Sequence, residues 1–184
     1  MAMVSKVSTF INNCLQTDLS VVKILIQSKF FGKKISFPQT EKCVILGNGP
    51  SLLKEIPNHS DWFKTTPKIA VNLFVKSHYY SELKPEFYVI NAPEHWFEGV
   101  NESGRKATTE LYELLAEKTS WNMTLLIPYN AKKNKEWKKI LEKNNRIKIQ
   151  YYNKTPIEGF RFFCNIIFKK GLGMPRPQIG RAHV

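Results

Sequence analysis

Three short stretches hold the residue types that could do chemistry. The first is Gly47-Asn48-Gly49-Pro50-Ser51, a bend of small residues before a proline, which suits a first helical position because no N–H donor is needed there. A bend of this kind points bare backbone amides beyond a helix N-terminus, and they act with the helix dipole to attract phosphate or another anion. Ser51 could turn its hydroxyl to the same anion, so the expected ligand is a nucleotide. The second stretch comprises Asn72 and Asn91, each ending an apolar run, where a strand of an open α/β sheet delivers a side chain to the ligand crevice. The third is Ala92-Pro93-Glu94-His95-Trp96-Phe97. Here Asn91 could hold a ribose or sugar hydroxyl, Glu94 or His95 could move a proton, and Trp96 could stack on a ring. Each has a plainer alternative: a tight turn without a ligand, an Asn72 that caps a helix beginning at Leu73, and a solvated loop whose Trp96 and Phe97 cover the core. Leu52 stands where the dinucleotide fingerprint has its third Gly or Ala, which argues against a hydride-transfer cofactor.

The elements that must position these residues follow from hydrophobic patterning. Cys43–Leu46, Lys68–Asn72, Glu86–Asn91, Thr124–Ile127 and Ile147–Tyr151 read as strands. Ser51–Ile56 reads as a short helix stopped before Pro57, followed by a polar loop to Pro67 that contains His59, Asp61 and Trp62. Arg105–Lys118 reads as a helix with Ala107, Leu111, Leu114 and Leu115 on one face, and Ile157–Lys170 as another with Phe160, Phe163, Cys164, Ile167 and Phe168 buried. This alternation predicts an α/β fold, a Rossmann-like, mostly parallel sheet with helices on both faces. Right-handed crossovers would set the strand ends carrying Gly47, Asn72 and Asn91 along one edge. Residues 1–40, with Val7, Phe10, Ile11, Cys14 and Leu15 at helical spacing, are expected to form an N-terminal helical extension, and 41–178 the nucleotide-binding domain.

With 184 residues, 42% of them hydrophobic, the chain can bury one substantial core. Its 28 Lys and Arg against 15 Asp and Glu give a formal charge of +13 and a pI near 9.7, which favours nucleotides, acidic glycans, nucleic acid or an anionic membrane face as partners. In the basic segment Lys132–Lys154, Trp137, Ile140 and Leu141 form an apolar stripe, so its lysines read as the solvent face of a helix. Aromatic residues for base stacking are missing from that face, which disfavours nucleic acid. Lys29, Lys33 and Lys34 beside Phe30 and Phe31 could sit at a membrane surface; the plainer reading is an extension packed on the main domain. Cys14, Cys43 and Cys164 are odd in number and lack metal-ligand spacing, which points to small core residues in a reducing cytoplasm. The first apolar stretch has no cleavage site after it and is too short to span a bilayer. The expected location is therefore cytoplasmic, with the inner membrane surface as a variant.

The segment GNGPSLLKEI, with IAVNLF at Ile69–Phe74 and KPEFYVINAP at Lys84–Pro93, resembles the MptE-like 6-hydroxymethylpterin diphosphokinase family and the related bacterial sialyltransferases that decorate surface glycans. The likeness covers Cys43–Pro93, with a second patch, GLGMPRPQ, at Gly171–Gln178. It implies a nucleotide-dependent transferase. The first expectation is a glycosyltransferase working from a CMP-sugar donor to a glycan acceptor; the alternative is pyrophosphoryl transfer from ATP with magnesium. In the former, amides around Gly47–Ser51 hold the donor phosphates, Asn72 and Asn91 orient the nucleoside or sugar, Arg176 contacts phosphate, and no metal is required. Magnesium would need carboxylates, for which Asp61 and Glu94 are the candidates. Members of the family more often carry Asp at or next to the position of Asn91, so the neutral amide here argues against a metal. A non-catalytic basic module that binds anions is the remaining alternative.

In the sialyltransferases the catalytic His and the tyrosines that hold the leaving phosphate follow the loop matching Gly171–Gln178. Here that loop leads into Ile179–Val184, IGRAHV, which a common sequencing adapter encodes when translated in one frame. The expectation is a fragment whose residues 179–184 are a non-native tail, whose general base belongs to a missing downstream part, and which has no activity by itself.

Overall fold

The computed structural model of the protein describes residues 2–30 and 40–175. Arg176, Gln178 and the tail 179–184, with Phe31, Lys33 and Lys34, lie outside the described residues. Two compact units result, one of residues 40–151 and one pairing 2–30 with 152–175.

In the larger unit, β1 (Val44–Leu46), β2 (Lys68–Val71), β3 (Phe87–Val89), β4 (Met123–Pro128) and β5 (Ile147–Tyr152) form one sheet in that order. The sheet is wholly parallel, and the expected α/β, Rossmann-like class is met. Its register pairs Leu46 with Ala70, Ala70 with Tyr88 and Tyr88 with Leu125. These four side chains therefore share one face, and all are fully buried.

The connections are α2 (Pro50–Asn58) and α3 (Ser60–Thr65), then a 3-10 turn (Phe74–Lys76) and α4 (Tyr80–Leu83). A second 3-10 turn (Pro93–Trp96) precedes α5 (Glu102–Lys118), and a third (Tyr129–Lys133) precedes α6 (Glu136–Leu141). Right-handed crossovers between consecutive neighbours all pass the same side of a sheet. Ile56, Phe63, Val75, Leu111 and Trp137 accordingly join Leu46 and Tyr88 in a single apolar cluster. A doubly wound sheet acquires its second helical layer by reversing strand order, and no reversal occurs among these five strands. On the opposite face of the edge strand, Ile45 is 65% exposed.

Local physics moves several boundaries. Pro57 does not stop α2, which runs to Asn58, because a missing donor costs little in a helix that ends one residue later. The polar stretch expected as a loop folds as α3: Phe63 is buried there, and Asp61 sits in the first turn, where the helix dipole favours a carboxylate. Helix α5 begins at Glu102 because the Asn101 side chain accepts the Gly104 N–H at 2.9 Å. The basic segment yields only the six-residue α6, with Trp137 and Leu141 buried. Cys43 is exposed rather than part of the core, since β1 starts one residue after it; Cys14 is half-buried and Cys164 buried.

The smaller unit consists of α1 (Ala2–Gln27) and a βαβ motif of β6 (Pro156–Ile157), α7 (Arg161–Lys169) and β7 (Met174–Pro175), with β6 and β7 parallel. Small polar groups join helix to motif. The Ser20 hydroxyl donates to the Glu158 carbonyl at 2.9 Å and accepts the Glu158 N–H at 2.8 Å. Asn153, buried, accepts the Lys29 N–H at 2.9 Å and donates to the carbonyls of Lys29 and Gly171 at 3.0 and 2.8 Å. Gly159 adopts φ +116, and a Cβ there would stand 2.1 Å from Thr17 Oγ1. Among the described residues, Ile24, Ile157 and Cys164 form the buried apolar cluster, with Phe163, Ile167 and Leu172 packed against it. Two expectations fail here: Ile157 is in β6 rather than the helix, and Phe168 is 54% exposed, with Phe160, Phe163 and Ile167 half-buried. No helix among the described residues is long and apolar enough to cross a membrane.

Candidate functional site

The small-residue bend connects β1 to α2, and Pro50 opens the helix as predicted. Gly49 is the N-cap at φ −70 and ψ 138, with no side chain capping the helix and no acidic residue in its first turn. Among the described residues, no side-chain cap and no first-turn acid compensates the positive end of α2. The N–H groups of Gly47, Asn48, Gly49 and Ser51 meet no acceptor among the described residues, and Asn48, Gly49 and Ser51 are exposed. Neither glycine has a positive φ. A Cβ on Gly47 would have nothing within 4 Å, and one on Gly49 would meet only Ser51 Oγ at 3.6 Å. The fold therefore does not require glycine at either position, and the space beside both is open.

Because Leu46 pairs with Ala70, Asn48 and Asn72 leave the sheet side by side, at a strand spacing of about 5 Å. Asn72 is not the helix cap of the plainer alternative: the turn begins at Phe74 with Leu73 as N-cap. It instead takes a left-handed conformation, φ 55, which Asn tolerates better than most residues. Tyr88 holds it there. Its hydroxyl donates to the Asn72 carbonyl at 2.6 Å and accepts the Val75 N–H at 3.1 Å, and burial pushes the phenol pKa far up, so the donor stays protonated. Asn72 is exposed, as is Asn91 beyond β3.

In the loop after β3, Trp96 follows the plainer of its two readings. Its ring is buried and its indole N–H donates to Glu98 Oε2 at 2.8 Å, so it covers the core rather than offering a stacking platform. Phe97, also buried, takes φ 64, an uncommon conformation for an aromatic residue. Glu94 is exposed, while its carbonyl accepts the Thr108 hydroxyl at 3.0 Å. The His95 carbonyl accepts Tyr112 Oη at 2.5 Å. Burial lowers the His95 imidazole below its ordinary 6.5, with Glu94 opposing. At neutral pH the ring is uncharged and able to take a proton.

A cleft of about 600 Å³ opens beside this loop, between the segments that follow β3 and β4. Its wall includes Phe97, Asn130, Lys133, Lys135 and Lys139. The carboxylates there are engaged: Glu98 by the Trp96 indole, and Glu136 by Arg105 at 2.6 Å, whose guanidinium also lies 5.2 Å from the Phe97 ring centre. The three lysines pair with no carboxylate among the described residues. Sequence reasoning took them for a solvated helix face. Asn130, just past Pro128 at a strand's carboxyl end, was the available signal.

Gly47, Asn48, Gly49, Ser51, Asn72 and Asn91 thus all stand at the carboxyl edge of the sheet, with the 94–98 loop and the lysine cleft along the same edge. Arg176 lies outside the described residues. Asp61 and Glu94 belong to different elements, α3 and the second 3-10 turn, and no group of three His, Cys, Asp or Glu gathers among the described residues. Fold and edge together define a parallel α/β domain with an open, anion-ready turn. Comparison with protein-family models, with curated proteins and with solved structures finds no match.

Proposed function

We propose that this chain is the nucleotide-binding part of a transferase that moves a sugar from a CMP-sugar donor to a bacterial surface-glycan acceptor in the cytoplasm. The observation that carries the reading is the set of unpaired, open backbone donors at Gly47, Asn48, Gly49 and Ser51. In the proposed reaction the acceptor hydroxyl oxygen bonds to the anomeric carbon as the bond from that carbon to the donor phosphate breaks. The turn's amides and the α2 dipole offset the charge gathering on the departing nucleotide, and the acceptor's proton passes to a base. Neutral His95 is the candidate for that base among the described residues, with Glu94 the second. Asn72 and Asn91 orient nucleoside or sugar. The resemblance over Cys43–Pro93 supports the same assignment.

Titration calorimetry with CMP, a CMP-sugar and ATP, each with and without magnesium, tests it. Saturable, magnesium-independent binding of the CMP ligands is expected. Binding of ATP alone, dependent on magnesium, would replace the reading with pyrophosphoryl transfer. Salt-sensitive binding of any polyanion, indifferent to Gly49→Val and abolished by charge reversal along Lys132–Lys139, would leave a non-catalytic basic module.

A further inference from the structure

Helix α1 is inverted relative to an ordinary surface helix. The side it turns to the βαβ motif is Thr17, Ser20, Ile24 and Ser28, mostly small and polar and hydrogen-bonded. The side turned to solvent carries Val7, Ile11, Leu15, Leu19, Val22 and Ile26, each between 51 and 76% exposed. Phe10, Val21 and Leu25 widen it further. At 100° per residue these nine side chains cover about half of the helix circumference along about 30 Å. Exposed Ser8 and Asp18 interrupt this arc, yet an apolar face of that extent is abnormal for an isolated soluble protein and marks a surface that something covers. Phe10, at the edge of the stripe, touches Phe160 with ring centres 5.6 Å apart, and two residues further on Phe162 is 77% exposed at the start of α7.

We infer that this face docks on an anionic lipid bilayer, with α1 lying flat in the interface. Three observations favour a membrane over a second copy of the chain. The stripe advances by 4, 4, 4, 3 and 4 residues, about 3.8 per turn, which drifts away from the 3.5 repeat that a partner helix needs to stay in register. A bilayer imposes no register. The apolar arc is far wider than a two-helix seam, as suits burial in an acyl boundary. Finally, the described residues of this unit carry seven Lys or Arg against Asp18 and Glu158, a net charge of +5. That charge repels a second copy and attracts an anionic surface. Asp18 is the one acid on α1. The inference is independent of the transferase assignment.

Flotation of the full chain with vesicles of phosphatidylcholine, with and without phosphatidylglycerol, tests it. Co-flotation is expected with the phosphatidylglycerol vesicles, weakening as salt is raised, and little is expected with pure phosphatidylcholine. Leu15→Glu combined with Ile26→Glu, both on the exposed face, should cut the bound fraction about tenfold or more at unchanged helical circular dichroism. Lys169→Glu combined with Lys170→Glu should lower it several-fold without altering α1. No flotation with either vesicle would overturn the inference, as would equal flotation with both or flotation unchanged in the Leu15/Ile26 variant. A concentration-dependent dimer dissolved by that variant, without flotation, would overturn it in favour of a second copy.

Discussion

Gly47→Ala separates a glycine kept for a ligand from one kept for the fold. Position 47 has no positive φ, and a Cβ there would have nothing within 4 Å, so alanine fits the native backbone. The unfolded chain loses freedom and the protein gains stability, by about 0.4–1 kcal/mol. At the usual unfolding entropy per residue this raises the melting temperature by about 1–4 °C. If phosphate approaches the open turn, the methyl group displaces it and forfeits at least one hydrogen bond to a charged group. That bond is worth about 1.5–3 kcal/mol, so nucleotide affinity should fall about 10- to 150-fold. Thermal denaturation and calorimetry on one preparation read both quantities, and the argument requires opposite signs. A variant that is more stable yet binds CMP as the parent does would show that no ligand uses the turn. A destabilised variant would show that the space beside Gly47 is not open.

Three further outcomes follow from the geometry. His95, whose folded pKa lies below its unfolded 6.5 because of burial, resists protonation that the unfolded chain accepts, so stability is full above pH 6.5 and is lost as pH falls below it. Urea midpoints at pH 7.5 and 5.5 should therefore differ less in His95→Gln than in the parent, and an imidazole titrating above 6.5 by NMR would refute the assignment. Gly159→Ala places a methyl group 2.1 Å from Thr17 Oγ1 at φ +116 and should destabilise the smaller unit by about 3 kcal/mol or more, seen as early proteolysis within α1 or the β6–α7 segment; parental resistance would refute it. Asn153→Ala strands the Lys29 N–H and the carbonyls of Lys29 and Gly171. It should cost about 2–4 kcal/mol in urea denaturation, and a loss below about 0.5 kcal/mol would mean that water replaces the amide.

Short-range chemistry was legible and long-range placement was not. The run from Cys43 to Ser51 announced a strand, an open bend and a proline-started helix, because each depends on a few adjacent residues. The five strands were found by apolar runs, within two residues at each end. Strand order could not be read, since alternation of strands and helices is compatible with reversal or with none. At the candidate site, Asn72 was found by its position at a strand end. Its left-handed conformation was hidden because the Tyr88 hydroxyl that fixes it lies 16 residues away. Of the two readings open for Trp96, the one that covers the core holds, because the Glu98 carboxylate satisfies its indole within the loop.

Helix α1 exposes the deeper limit of reading periodicity. A 3.6-residue rhythm of apolar side chains says that a helix has two unlike faces; it does not say which face meets the protein. The usual inference, apolar side inward, assumes that the remaining chain offers an apolar surface to receive it. Here the receiving motif offers the Glu158 backbone, the Thr155 hydroxyl and the close approach of Gly159. Serines and a threonine satisfy these, and a leucine would leave them unpaired at about 1–3 kcal/mol each. Hydrogen-bond demand on one side therefore orients the helix and leaves its hydrophobic side to whatever lies outside the molecule. Swapping the faces supplies the test of that ordering: Ser20→Leu should destabilise the smaller unit by about 2 kcal/mol despite added hydrophobicity, whereas Leu15→Glu should leave its stability within about 0.5 kcal/mol. If urea midpoints shift the opposite way, burial rather than polar satisfaction sets the helix's orientation.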